Sequence, residues 1–154
     1  MSKRKKITFW VFAILSIALT AFIFSNSLRA GEESSAQSDI VTDLVNKFLG
    51  SFGISIEPQE LSHFIRKLAH FSEYFALGLT SAVTLSVLKK RFYMIFSPIY
   101  CVIIAICDEF IMQAMTIGRA PMWKDVLIDS TGALTALIAV TVFLFIRKEK
   151  RYEK

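Results

Sequence analysis

At 154 residues the chain is long enough for one domain and short for two of ordinary size. Hydrophobic residues make up 54% of it and the mean hydropathy is +0.51, which excludes an ordinary soluble composition. The net charge of +5 does not point to nucleic acid, because the basic residues stand in short runs beside apolar segments and no glycine-aromatic signature accompanies them.

The first predicted element is a membrane-spanning helix over 7–24, a clean apolar run behind Lys3-Arg4-Lys5-Lys6. The run is longer than the apolar part of a usual signal peptide. A retained helix is therefore expected rather than cleavage at the small residues Ser25 and Ser27. The outer connection, 25–65, follows. Within it Ile40, Val41, Leu44, Val45, Phe48 and Leu49 recur at helical spacing, and Asp39, Thr42, Asp43, Asn46 and Lys47 take the other face. This pattern predicts an amphipathic helix begun by Ser34-Ser35 or Ser38. It either lies flat on the outer leaflet or packs as a lid on the other helices. Gly50-Ser51-Phe52-Gly53 ends it, and Pro58 suits the first turn of the next helix.

Three further spans are expected over 68–88, 92–112 and 126–146, with Pro98 kinking the third of the four. Cys101 and Cys107 are six residues apart, about 9 Å along a helix. That is too far for a disulfide, so both read as packing residues.

Charge gives the direction. Lys3, Arg4, Lys5 and Lys6 precede the first span, Lys89, Lys90 and Arg91 join the second to the third, and Arg147, Lys148, Lys150, Arg151 and Lys154 end the chain. By the positive-inside rule these three clusters are cytoplasmic. The expected architecture is an all-α membrane protein, a four-transmembrane-helix bundle forming one domain over 1–154. It is multi-pass in the cell membrane, both termini cytoplasmic, with the amphipathic helix in the outer loop.

Arg66, His70, Glu73, Asp108, Glu109, Asp125 and Asp129 then fall at nearly one depth. Counting from the inner ends at 1.5 Å per residue, Glu73 lies about 22 Å, Asp108 about 26 Å, and His70 and Asp129 about 27 Å up their helices. With hydrocarbon about 30 Å thick, all four sit just inside the outer boundary. Charge there is costly and tends to be functional. Arg66, His70, Glu73 and Tyr74 share one helix face, as do Asp125, Asp129 and Gly132, and likewise Glu109 and Gln113. Small residues at four-residue spacing, Gly78 with Ala82 and Gly132 with Ala136, invite close helix approach. Blander roles exist for several members. Lys67 can snorkel to headgroups, His70 can be a packing histidine, Asp108-Glu109 can be a helix end facing water, and Asp125 can be a helix-start carboxylate. Glu73 needs a partner, with Arg66, His70 or Arg119 as candidates.

Three chemistries suit this layer. His70 with Glu73 or Asp129 can do acid-base work as catalytic residues. Asp108 and Glu109 with His70 can hold a divalent cation, although no cofactor is evident. Arg66, Lys67 and Arg119 can clamp an anionic headgroup. Nucleophile motifs and glycine-rich phosphate loops are absent from the sequence. Transport fits poorly, since the inner halves of the spans are apolar apart from hydroxyls such as Thr84 and Ser86. The sequence sets no oligomeric state.

The order Phe24-Ser25-Asn26-Ser27, Arg66-Lys67-x-x-His70-x-x-x-Tyr74, Asp108-Glu109-x-x-x-Gln113, Gly118-Arg119, Asp125 and Gly132 resembles the VanZ-like family of small bacterial membrane proteins. The likeness runs from Phe12 to about Val142. One departure is Asp129, where the family favours asparagine. The resemblance implies lowered susceptibility to the lipoglycopeptide teicoplanin, and marks Ser25, Lys67, His70, Tyr74, Asp108, Glu109, Gln113, Arg119 and Asp125 as site residues. The reading favoured by both lines is an outer-leaflet pocket that engages an anionic envelope lipid, a lipid-linked wall precursor or the lipoglycopeptide. Its binding residues are expected to be Ser25, Arg66, Lys67, Tyr74, Gln113, Arg119 and Asp125. The alternative is a membrane enzyme acting on a lipid headgroup or wall precursor through His70, Glu73 and Asp129.

Overall fold

A computed structural model of the chain describes residues 1–29, 31–88 and 91–152, with side chains placed for all of these except 31–35, 37, 91 and 149–152. Among these residues five α-helices run in chain order: α1 (Lys3–Ser27), α2 (Gly31–Gly50), α3 (Pro58–Ser86), α4 (Phe96–Cys107) and α5 (Trp123–Tyr152). No strand occurs among the described residues. Lys89 and Lys90, expected in the inner connection, and Lys154, expected in the basic tail, lie outside the described residues.

Among the described residues three stretches are long and apolar enough to cross a membrane: Lys3–Ser27, Phe92–Met115 and Trp123–Lys148. The expected second span, 68–88, is not one of them. It falls within α3, a helix of 29 residues and therefore about 44 Å long. What lowers its hydropathy is where it sits. α3 packs against α1, α4 and α5, most extensively against α5. Its hydroxyl residues Thr80, Ser81 and Thr84 are buried among those neighbours. A helix enclosed by other helices can carry hydroxyls that a lipid-facing helix cannot, provided they find partners. They do: Ser16 of α1 donates to Thr80 Oγ1 at 3.0 Å, Ser81 and Ser97 share a hydrogen bond of 2.6 Å, and Ser97 also donates to the Gly78 carbonyl at 3.1 Å. In lipid, where apolar contact alone does not drive helices together, such bonds and tight packing do the joining.

Small residues let α3 and α5 approach. Gly78 faces Ala133 and Ala136, and Gly132 lies directly on the backbone of Phe71 and Phe75, as the four-residue spacing predicts. Around this contact Ile23, Tyr74, Leu77, Cys101, Ala105, Val126 and Ala133 form the main core. Cys101 is buried and Cys107 is half-buried; both thiols are free.

The stretch Phe92–Met115, expected as the third span, is not one regular helix. A 3₁₀ segment (Arg91–Ile95) precedes α4, placing Pro98 in the helix's first turn, where a missing N–H costs nothing. The irregularity lies instead at the other end, where Asp108–Met112 is π-helical and Gln113–Met115 is 3₁₀.

The amphipathic helix predicted in the outer connection is α2, which starts at Gly31, earlier than Ser34-Ser35 or Ser38. Its packing is that of a lid on the other helices. Ser38 and Thr42 are buried, and Asp39 accepts a hydrogen bond from Ser62 of α3 at 3.1 Å. The apolar face points away, with Ile40 72%, Leu44 70% and Phe48 66% exposed. α2 therefore packs as a lid on α3, and does so by its polar side rather than through its apolar face.

Candidate functional site

Four helical segments converge on the polar layer. α1 delivers Asn26 and Ser27, the middle of α3 delivers His70, Glu73 and Tyr74, the π segment delivers Asp108 and Glu109, and the first turns of α5 deliver Asp125 and Asp129. Asn26 Nδ2 donates to Glu73 Oε1 at 2.9 Å, so the partner of this carboxylate is an amide from α1 rather than Arg66, His70 or Arg119. Ser27 donates to Asp108 Oδ2 at 2.8 Å. The π turn widens the helix so that residues five apart meet. Gln113 Nε2 reaches Asp108 Oδ2 at 3.4 Å as well as Glu109 Oε2 at 2.5 Å. Glu109 also accepts the Met122 backbone N–H at 2.7 Å, which ties the 116–122 connection to the layer.

Asp108, Glu109 and Asp129 are shut away from solvent. The first two are therefore not a helix end facing water. His70 Nδ1 lies 3.9 Å from Asp129 Oδ1, beyond direct hydrogen bonding, and neither atom has a hydrogen-bond partner among the described residues. Tyr74 is completely buried with its hydroxyl also unpartnered. His70 Nδ1, the Asp129 carboxylate and the Tyr74 hydroxyl thus form a polar enclave whose atoms have no hydrogen-bond partner among the described residues.

Outside the enclave the layer opens into clefts beneath α2. One is about 600 Å³ and is lined by Arg66, Lys67, His70, Gln113, Arg119 and Asp125, together with Ala36, Asp39, His63, Gly118, Ala120, Met122 and Ile128. A second, about 210 Å³, is lined by Asn26, Ser27, Arg29, Glu73 and others, and shares Arg66, His70 and Arg119 with the first. Gly118 has φ +78°, a conformation costly for other residues, and this turn delivers Arg119 to both clefts. Burial lowers the pKa of the Arg119 guanidinium, with Asp108 the strongest opposing influence, yet a guanidinium remains charged at neutral pH.

Most expected residues thus gather, but not all in one role. Arg66, Lys67, Gln113, Arg119 and Asp125 line the cleft of about 600 Å³, whereas Tyr74 and Asp129 are buried and do not line it. Ser25 is exposed and lines none of the clefts; within its motif the contacts are made by Asn26 and Ser27, one and two residues on. Their hydrogen-bonding side chains at the end of an apolar run were the available signal. Among the described residues no three His, Cys, Asp or Glu side chains gather as a metal-holding group. Asp108 and Glu109 instead hold Ser27, Gln113 and Met122 in place.

That tie is testable. Glu109→Ala leaves the Met122 N–H without its acceptor, a loss of about 1–3 kcal/mol. Faster deuterium uptake at Met122 and a lower unfolding temperature are expected. Unchanged exchange there would show that the contact does not restrain the connection.

No curated protein and no solved structure matches the chain. The VanZ/LLP1 family model matches residues 11–145, nearly the full length, and the chain belongs to that family of membrane proteins.

Proposed function

We propose that the chain crosses the membrane four times with both termini cytoplasmic, and that the clefts under α2 face the outer leaflet and bind the anionic group of an envelope lipid, a lipid-linked wall precursor or a lipoglycopeptide. Lowered teicoplanin susceptibility is the physiological consequence of that binding. The observation that carries the reading is the cleft of about 600 Å³ walled by His63, Arg66, Lys67 and Arg119. Guanidinium and ammonium groups on a concave wall suit phosphate.

The fourth crossing rests on α3, whose length exceeds the hydrocarbon thickness and whose Thr80, Ser81 and Thr84 hydroxyls are turned inward. Orientation rests on the basic clusters. The exposed apolar face of α2 then meets lipid, with its polar face roofing the cleft. No divalent cation enters this reading.

The test is to purify the full chain in maltoside and analyse the extracted lipid. About one phosphate-bearing lipid per protein is expected to survive purification, and Arg119→Ala is expected to lose it. Wild-type protein free of such lipid would sink the reading.

A second reading, a membrane enzyme, is favoured by His70. It stands 3.9 Å from the buried Asp129 and also on the wall of both clefts. In that role His70 exchanges a proton with a bound headgroup and Asp129 orients the ring. Turnover of lipid-linked substrates, abolished in folded His70→Ala, is the expected sign. No turnover across a broad panel of headgroups would exclude it.

A further inference from the structure

The cleft of about 600 Å³ carries charges of both signs: Asp39 and Asp125 stand on it with Arg66, Lys67 and Arg119. A site for an anion alone is weakened by carboxylates on its wall, because like charges brought together cost affinity.

Asp125 is in the first turn of α5, where the helix dipole favours an acid. Its bonding shows more than that. Asp125 Oδ1 is withdrawn from water and accepts no hydrogen bond among the described residues, while its own N–H donates to the Met122 carbonyl. Asp39 differs, being exposed and already accepting from Ser62. The cleft therefore holds a secluded carboxylate oxygen in want of a donor, on the same walls as three cationic side chains. A buried acceptor without a donor is a standing cost that a ligand N–H removes. A primary ammonium brings three donors and the complementary charge. At about 600 Å³ the cleft has room for both ends of a small headgroup.

Building on the headgroup-binding reading, we propose that the cleft selects a zwitterionic phospholipid headgroup with a primary ammonium, its phosphate held by Arg66, Lys67 and Arg119 and its ammonium by Asp125. Asp39 adds a second acid to the ammonium's surroundings.

The experiment is native mass spectrometry of the full chain in maltoside micelles, titrated with three lipids of identical short tails. Phosphatidylethanolamine carries phosphate and N–H donors. Phosphatidylcholine keeps both charges and lacks the donors. Phosphatidylglycerol keeps only the phosphate. Phosphatidylethanolamine is expected to bind about tenfold tighter than either. Asp125→Asn is expected to erase that preference, and Arg119→Ala to weaken all three lipids together. Phosphatidylglycerol binding as tightly as phosphatidylethanolamine, or a preference that survives in Asp125→Asn, overturns the proposal while leaving a phosphate site. Failure of all three to bind overturns the phosphate-headgroup reading itself. If Asp125→Asn does not fold, the wild-type contrast between phosphatidylethanolamine and phosphatidylcholine decides alone.

Discussion

Gly132→Ala is expected to destabilise the fold by about 3 kcal/mol, although alanine is the better helix former and in open helix would stabilise by roughly 1 kcal/mol. A Cβ on Gly132 overlaps the Phe71 carbonyl oxygen and stands 3.1 Å from the Phe75 backbone nitrogen. Both are backbone atoms of a helix, so neither can swing aside as a side-chain tip does. α3 and α5 must separate along their broadest contact. His70 precedes Phe71, and Asp129 lies nearly one turn before Gly132, so the same separation draws the 3.9 Å pair apart. A lower unfolding temperature in detergent, with loss of bound lipid, is the expected result. Gly50→Ala is the control, because nothing lies within 4 Å of a Cβ there, and a change within about 0.5 kcal/mol is expected. A Gly132→Ala protein as stable as wild type would mean that the helices do not meet as described.

Cells expressing the wild-type chain are expected to tolerate more teicoplanin than cells expressing Arg119→Ala or His70→Ala at matched membrane levels. Arg119 is the side chain with most at stake. It lines both clefts and is delivered by a connection held through the Gly118 turn and the Met122–Glu109 hydrogen bond. Truncating it removes charge-assisted hydrogen bonds worth about 1.5–3 kcal/mol, or roughly ten- to hundredfold in affinity for a phosphate. His70→Ala leaves the basic wall in place but removes the link between the clefts and buried Asp129. Loss of protection in both places function in the cleft. Protection that survives both substitutions moves the activity to α2 or the surface.

Much of this architecture is legible from residue patterns. Three apolar runs flanked by basic clusters, the amphipathic helix behind them and the layer of acids with Arg66 and His70 all follow from local periodicity and charge. The convergence of that layer was legible too, since residues at similar heights in helices that bundle must come level. The VanZ/LLP1 membership rests on short motifs spread over most of the chain.

Three features belonged to the tertiary structure. Which face of α2 touches protein is not written in its amphipathicity, because in a membrane an apolar face is as content against lipid as against a core. The structure turns Thr42 inward and Leu44 outward. The partners of the buried acids join positions far apart in the chain, Asn26 to Glu73 and Ser27 to Asp108, and no local pattern distinguishes these residues from neighbouring Ser25. The π turn at Asp108–Met112 likewise has no periodic signature; it places Gln113 against both Asp108 and Glu109. Local sequence determined where helices form and which residues must avoid hydrocarbon. Only the packing of helices decided how each buried polar group is satisfied, because hydrogen bonds act over about 3 Å and depend on which distant segments are brought that close.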